Sequence, residues 1–240
     1  MLTTLRRAGA LAAVCLSIGS TSVQAVTNPP ALITPLASQL SVTAPDLNEK
    51  VLNKAVMAME CAVANGAKPA ARLAVIDFSL PSAEERLWIF DLQSKKLLLQ
   101  DLVAHGSGSG DNYAAAFSNI EGSHQSSIGL FRTAESYTGR HGYSLRMDGL
   151  ERGINDLARQ RAIVIHAADY VDPGWVARYG RIGRSQGCPA VRPEVAGMVV
   201  DKLKGGQFMF SYYPDEHWLA TSEFLNCNKA QGQLLAQVER

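Results

Sequence analysis

"AIVIHAADY" (162–170) followed by "GRSQGCPAV" (183–191) is the pair of segments on which the fold and chemistry of this chain turn. The first is an apolar strand that ends on His166. The second sets Cys188 between a glycine and a proline, in a stretch dotted with arginine. A structural thiol belongs on an apolar strand or helix face, so a cysteine at a tight backbone position beside cations reads as a nucleophile. Such a thiol reacts as its thiolate and needs a base within hydrogen-bond reach. Of His105, His124, His141, His166 and His217, it is His166 that a buried strand delivers rigidly. A single connection separates it from Cys188, a spacing that can return the chain to the same sheet edge. Alone, a histidine on such a strand is more often a hydrogen-bonded core residue; the pairing with Cys188 changes its meaning.

Working outward, the period stays that of strands. "RLAVIDF" (72–78), "RLWIFDL" (86–92) and "KLLLQDLVAHG" (96–106) are rich in β-branched, aromatic and leucine residues, with a turn at Gln93 and Ser94. "SIGLFRTAESY" (127–137), "GYSLRMDGL" (142–150) and "GQFMFSYYP" (206–214) add more. Helices are predicted over "NDLARQR" (155–161) and "PEVAGMVVDKLKGG" (193–206), the latter opened by proline and closed by glycines. An earlier helix over 46–66 starts at Asp46 and Glu49, carries Leu47, Val51, Ala55, Met59 and Val63 at helical spacing, and stops at Gly66. The fold class is mainly β, a β-sandwich-like α+β domain with flanking helices. The "HGSGSGDN" segment (105–112) lacks the lysine and hydroxyl residue of a phosphate cradle and is expected to be a mobile surface loop or lid.

The start of the chain points to export. "MLTTLRR" is a short basic region, the apolar run after it is too short for a span, and "SVQA" places a cleavage site after Ala25. Residues 1–25 are therefore expected to be a signal peptide and the mature protein periplasmic, without a membrane span. Cys15 has too little hydrophobic sequence before it to favour a lipid anchor. Residues 26–45, with Pro29, Pro30, Pro35 and Pro45, predict an extended linker, and 67–240 the main domain with its C-terminal tail. The formal charge of the whole is +1, and loss of Arg6 and Arg7 with the signal makes it −1. Such a near-neutral chain has no bulk attraction for nucleic acid or anionic lipid.

Removal of Cys15 leaves Cys61, Cys188 and Cys227 in an oxidising compartment. An odd count frees one thiol or pairs two molecules. If Cys188 must stay reduced, Cys61–Cys227 is the remaining intramolecular bond; three buried thiols are the alternative. Around Cys188, Arg178, Arg181, Arg184 and Arg192 occur with no acid between residues 176 and 193. Such cations would favour a thiolate and hold carboxylates by paired hydrogen bonds, or else form a solvated charged loop. Gly187 permits the close backbone approach that an oxyanion site of main-chain N–H groups requires.

"IVIHAADY" with "GRSQGCPAVR" resembles the L,D-transpeptidase catalytic domain (the YkuD-like family) of bacterial cell-wall enzymes. Ser185, Gly187 and Cys188 match its Ser/Thr-His-Gly-Cys signature, His166 falls on the base, and Gly129 and Phe131 match an upstream strand entry. The resemblance covers roughly residues 72–213. Gln186 stands where the signature has histidine, Pro189 follows the cysteine, and Arg192 lies two places later than the usual arginine. The resemblance implies a two-step acyl transfer on peptidoglycan stem peptides through a Cys188 thioester, giving 3–3 or 1–3 cross-links and needing no metal or organic cofactor. Ser185, Gln186, Arg184 and Arg192 would bind substrate, and Asn119, Ser123 and His141 could line the cleft. Three other functions stay open: an L,D-carboxypeptidase or other cysteine peptidase, a non-catalytic murein-binding domain, and a zinc site on Cys188, His166 and another histidine.

Overall fold

The computed structural model describes residues 33–227. The expected signal peptide with Cys15, the first part of the expected linker and residues 228–240 of the tail lie outside them.

The chain is mainly β with flanking helices, as its sequence predicts. Strands β1 (Arg72–Asp77), β2 (Leu87–Asp91) and β3 (Lys96–Asp101) form an antiparallel meander. The others are β4 (Val103–Ala104), β5 (Gly129–Gly139), β6 (Gly142–Gly149), β7 (Val164–Ala167), β8 (Ala190–Val191) and β9 (Phe208–Tyr212). Together they make one nine-stranded mixed order, β3-β2-β1-β9-β5-β6-β7-β8-β4. Side chains alternate across a strand, and β1 shows both outcomes. Leu73 and Val75 enter one core, Ala74 and Ile76 the other. A sheet covered on both faces is why these segments read as nearly continuous apolar runs.

Helices α1 (Pro35–Ser41) and α2 (Glu49–Ala64) cover the first face. α2 begins at an Asn48 cap, whose side chain accepts from Lys50 N–H, rather than at Asp46. α1 replaces the expected extended linker between residues 33 and 45. Pro35 occupies a first-turn position, where a proline costs the helix nothing. Thr34 Oγ1 accepts from Ala37 N–H, and Ala37 and Leu40 are fully buried.

Helices α3 (Pro173–Tyr179), α4 (Pro193–Leu203) and α5 (Glu216–Thr221) complete the described chain. α4 lays Ala196, Val199, Val200 and Leu203 on the second face. The helix predicted over 155–161 is absent; residues 152–162 are consecutive turns. Two buried polar side chains divert this segment. Glu151 carbonyl accepts from the N–H groups of Ile154, Asn155 and Asp156. The Asn155 amide donates to the carbonyls of Ile128 and Leu130 and accepts from Glu151 N–H. The Glu151 carboxylate in turn accepts from Leu130 N–H and from the Trp218 indole on α5. Cys61 on α2 and Cys227 are joined by a disulfide, and among the described residues Cys188 is the free thiol.

Candidate active site

One register explains how residues 166 and 188 converge. β7 runs parallel to β8 with His166 opposite Ala190, so the base strand ends beside the loop that has just passed Cys188. Both residues line one cleft of about 490 Å³. Ser185, Gln186, Arg184 and His141, expected from the sequence, line it too. Tyr137, Arg140, Arg161 and Tyr170 join them without having been foreseen.

The loop that carries Cys188 is closed on itself. Ser185 Oγ accepts from Gly187 N–H at 3.0 Å and donates to the Cys188 carbonyl at 2.6 Å. Gly187 has φ +119°, and an added Cβ would stand 2.9 Å from the Gln125 carbonyl oxygen, so both backbone angle and space call for glycine. Its N–H is occupied by Ser185, which removes it from the expected oxyanion pair.

Beneath this loop lies the 105–112 segment, which is packed in place and not a lid. Ser107 N–H donates to the Ser185 carbonyl, and Ser185 N–H to the His105 carbonyl. Ser126 Oγ accepts from Gly106 N–H and donates to the Gly187 carbonyl, each at 3.0 Å. His105 is fully buried, with Nδ1 2.7 Å from an Arg86 guanidinium nitrogen. A guanidinium only donates, so Nδ1 is the acceptor and Nε2–H faces the Gly110 carbonyl at 3.3 Å. Burial, then the Arg86 charge, push the His105 imidazole down to about 4, and burial lowers Arg86 itself to about 9.

The Cys188 sulfur accepts from Val164 N–H at 3.4 Å. Burial raises the thiol, while the Val164 contact and the Arg161 charge pull it back. Arg161 is the cation that acts on the sulfur, and its guanidinium also donates to the Ser118 and Gln125 carbonyls and to the hydroxyls of Ser123 and Ser127. The arginines singled out by sequence are otherwise engaged. Arg192 makes a two-pronged pair with buried Asp101, both contacts 2.7 Å, and is not among the residues lining the cleft. Arg184 lines the cleft but pairs with Asp111 at 2.8 Å. Asn119 binds Asp156 at 2.7 Å and Leu157 N–H, and Ser123 receives Arg161; neither lines the cleft.

His166 is buried, with Nδ1 2.8 Å from the Ala167 carbonyl. A carbonyl only accepts, so Nδ1 carries the proton and Nε2 keeps its lone pair. Burial, opposed by that hydrogen bond and reinforced by His141 and Arg140, holds the imidazole below its usual value. An imidazole held below its usual range therefore shares the cleft with a thiol held above its own, and the thiol's own hydrogen-bond contact is the Ala162 carbonyl at 3.7 Å. Among the described residues no group of three His, Cys, Asp or Glu side chains could hold a metal ion, and no helix is long and apolar enough to cross a membrane.

A mixed sheet brings a thiol and an imidazole into one cleft, and comparison with known proteins gives the family of this domain. Residues 43–212 match the model of the L,D-transpeptidase catalytic domain. The chain belongs to that family. Among solved structures it is similar to an L,D-transpeptidase from Mycobacterium smegmatis, at 14% identity over 60% of this chain and 59% of that one, with a TM-score of 0.38. It is similar too to an L,D-transpeptidase from Stackebrandtia nassauensis (11% identity, 74% and 76% of the two chains, TM-score 0.36). For an L,D-transpeptidase from Xylanimonas cellulosilytica the identity is 14%, over 77% and 100% of the chains, at a TM-score of 0.32. This chain spans about three fifths of the length of the mycobacterial structures it matches. No curated protein matches it.

Proposed function

We propose that this protein is an exported, periplasmic L,D-transpeptidase that cross-links peptidoglycan stem peptides through a Cys188 thioester, forming 3–3 or 1–3 linkages. The observation that carries this is the shared cleft of Cys188 and His166, with His166 Nδ1 committed to the Ala167 carbonyl and Nε2 left as a base. Nε2 accepts the proton of Cys188 as sulfur attacks the carbonyl of an L-residue followed by a D-residue. Charge that appears on sulfur is met by Val164 N–H and Arg161. With Gly187 N–H taken by Ser185, the loop's remaining oxyanion donor is Cys188 N–H. The tetrahedral adduct collapses to the thioester, and His166 returns its proton to the departing amine. The amine of a second stem peptide then attacks the thioester, gives a proton back through His166 and restores the thiol. Gln186 and Ser185 line the same cleft and are assigned to substrate binding. No metal or organic cofactor enters any step.

The test is incubation of the mature protein with purified muropeptides beside Cys188→Ala. Dimers are expected from the wild type alone, and mass spectrometry of them places the bond as 3–3 or 1–3. Identical products from both proteins would refute the assignment; released D-amino acid and shortened stems without dimers would convert it to hydrolysis.

A further inference from the structure

The base has a neighbour that its own hydrogen bond does not account for. The rings of His141 and His166 lie with centroids 4.4 Å apart and planes inclined by 31°. His141 and Arg140 form the tip of the β5–β6 hairpin, between the last paired residues Gly139 and Gly142. Both are exposed, and neither pairs with an acid among the described residues. A two-residue hairpin turn needs residues that tolerate its backbone; it has no folding use for an arginine and a histidine. Arg140 Nε and Nη2 stand 3.3 and 3.2 Å from His141 Nε2. The guanidinium donates, so Nε2 accepts and orients the His141 ring.

The stem of this hairpin is braced. The Tyr143 hydroxyl donates to Asp201 on α4 at 3.0 Å, and the Arg146 guanidinium lies 4.4 Å from the centre of the Tyr137 ring. A ring carried on such a stem can hold another ring in place, and offset aromatic pairs at this separation favour a defined mutual orientation.

We infer that His141 is a positioning residue for His166: oriented by Arg140, its ring stacks on the imidazole and fixes the plane in which Nε2 meets the Cys188 thiol. Other titratable or charged groups share this cleft: Tyr137 on the same hairpin, Arg161 before β7, and Tyr170, Arg184 and Cys188 in and beyond the connection that follows it. The pairing explains the direction of the His166 shift. Burial is its largest cause, and His141 and Arg140 both push in the same direction. Removing the ring lets water in, and that raises His166. A phenyl ring in its place keeps the cover, so it moves His166 less.

The role rests on His166 being the base, but its readout needs no stem peptide. Ring-proton NMR titration of the mature chain should show the His166 midpoint rising in His141→Ala and staying near the wild-type value in His141→Phe. Arg140→Gln should give a smaller rise than His141→Ala. With muropeptides, His141→Ala should lose roughly tenfold in kcat at unchanged KM, and His141→Phe should recover most of it. An unmoved His166 midpoint in His141→Ala overturns the inference, as does a His141→Phe midpoint equal to that of His141→Ala. A wild type inactive on muropeptides but with these midpoints would refute the transpeptidase function and leave the positioning role standing.

Discussion

Cys188 and His166 line the same cleft from unlike supports: a loop closed by main-chain and serine-hydroxyl hydrogen bonds carries the cysteine, while the histidine ring has one main-chain bond, to the Ala167 carbonyl, and a stacked ring over it. Behind Cys188, the 105–112 segment, Ser126 and Ser185 form a continuous set of buried bonds that ends on the Arg86–His105 pair. Over His166, the cover is an exposed hairpin tip that meets it through one ring. The proposed acyl transfer would gain from this division. Cys188 would have to return to one place after each thioester breaks, which its closed loop favours. His166 would have to pass a proton between sulfur and two different amines, so its ring would need a fixed plane and an open edge.

The largest expected effect strikes the base. His166→Gln keeps a polar side chain but removes the proton acceptor, and should lower kcat by about 10²–10⁴-fold, in the range that general-base groups contribute. Product formation from muropeptides measures it, with thermal unfolding unchanged. The next effect strikes the scaffold. Ser126→Ala strands the buried Gly106 N–H and Gly187 carbonyl, and each lost partner exposes a desolvation cost of about 1–3 kcal/mol. Urea denaturation should therefore show a stability loss of that order, with turnover falling because Gly187 shifts. If Ser126→Ala were as stable as wild type while His166→Gln unfolded, the division between backbone-held and ring-held sides would be reversed.

How much of this was legible in the sequence follows the same line. Strands with two-sided cores announce themselves by apolar runs, and His166 and Cys188 stood out because their residue types clash with their settings. What stayed hidden came from turns. Arg161 ends a turn segment shaped by Glu151 and Asn155, and Arg140 sits on a hairpin tip; neither position carries a periodic signal. Arg192 shows a related limit. Residues 176–193 contain no acid in sequence, yet Asp101, distant along the chain and almost fully buried, supplies one in space. A cluster of like charges seen in one dimension says nothing about partners brought by the sheet. Likewise Pro35 suggested a linker, though in the first turn of α1 it starts a helix.

The smallest expected effect tests which cation acts on the sulfur. Arg161 lies on neither the scaffold beneath Cys188 nor the hairpin above His166, and its charge is the one that opposes burial of the thiol. A cation near a thiolate stabilises it and lowers the thiol's pKa, so Arg161→Gln should move Cys188 to higher pH. The rate of iodoacetamide alkylation against pH reads this directly. Its rising limb should shift upward in Arg161→Gln, and the rate just above neutrality should fall several-fold. Arg192→Gln should leave that limb in place, because Arg192 spends its charge on Asp101. The opposite pattern, a limb moved by Arg192→Gln and untouched by Arg161→Gln, would return the role to the arginine that the sequence alone put forward.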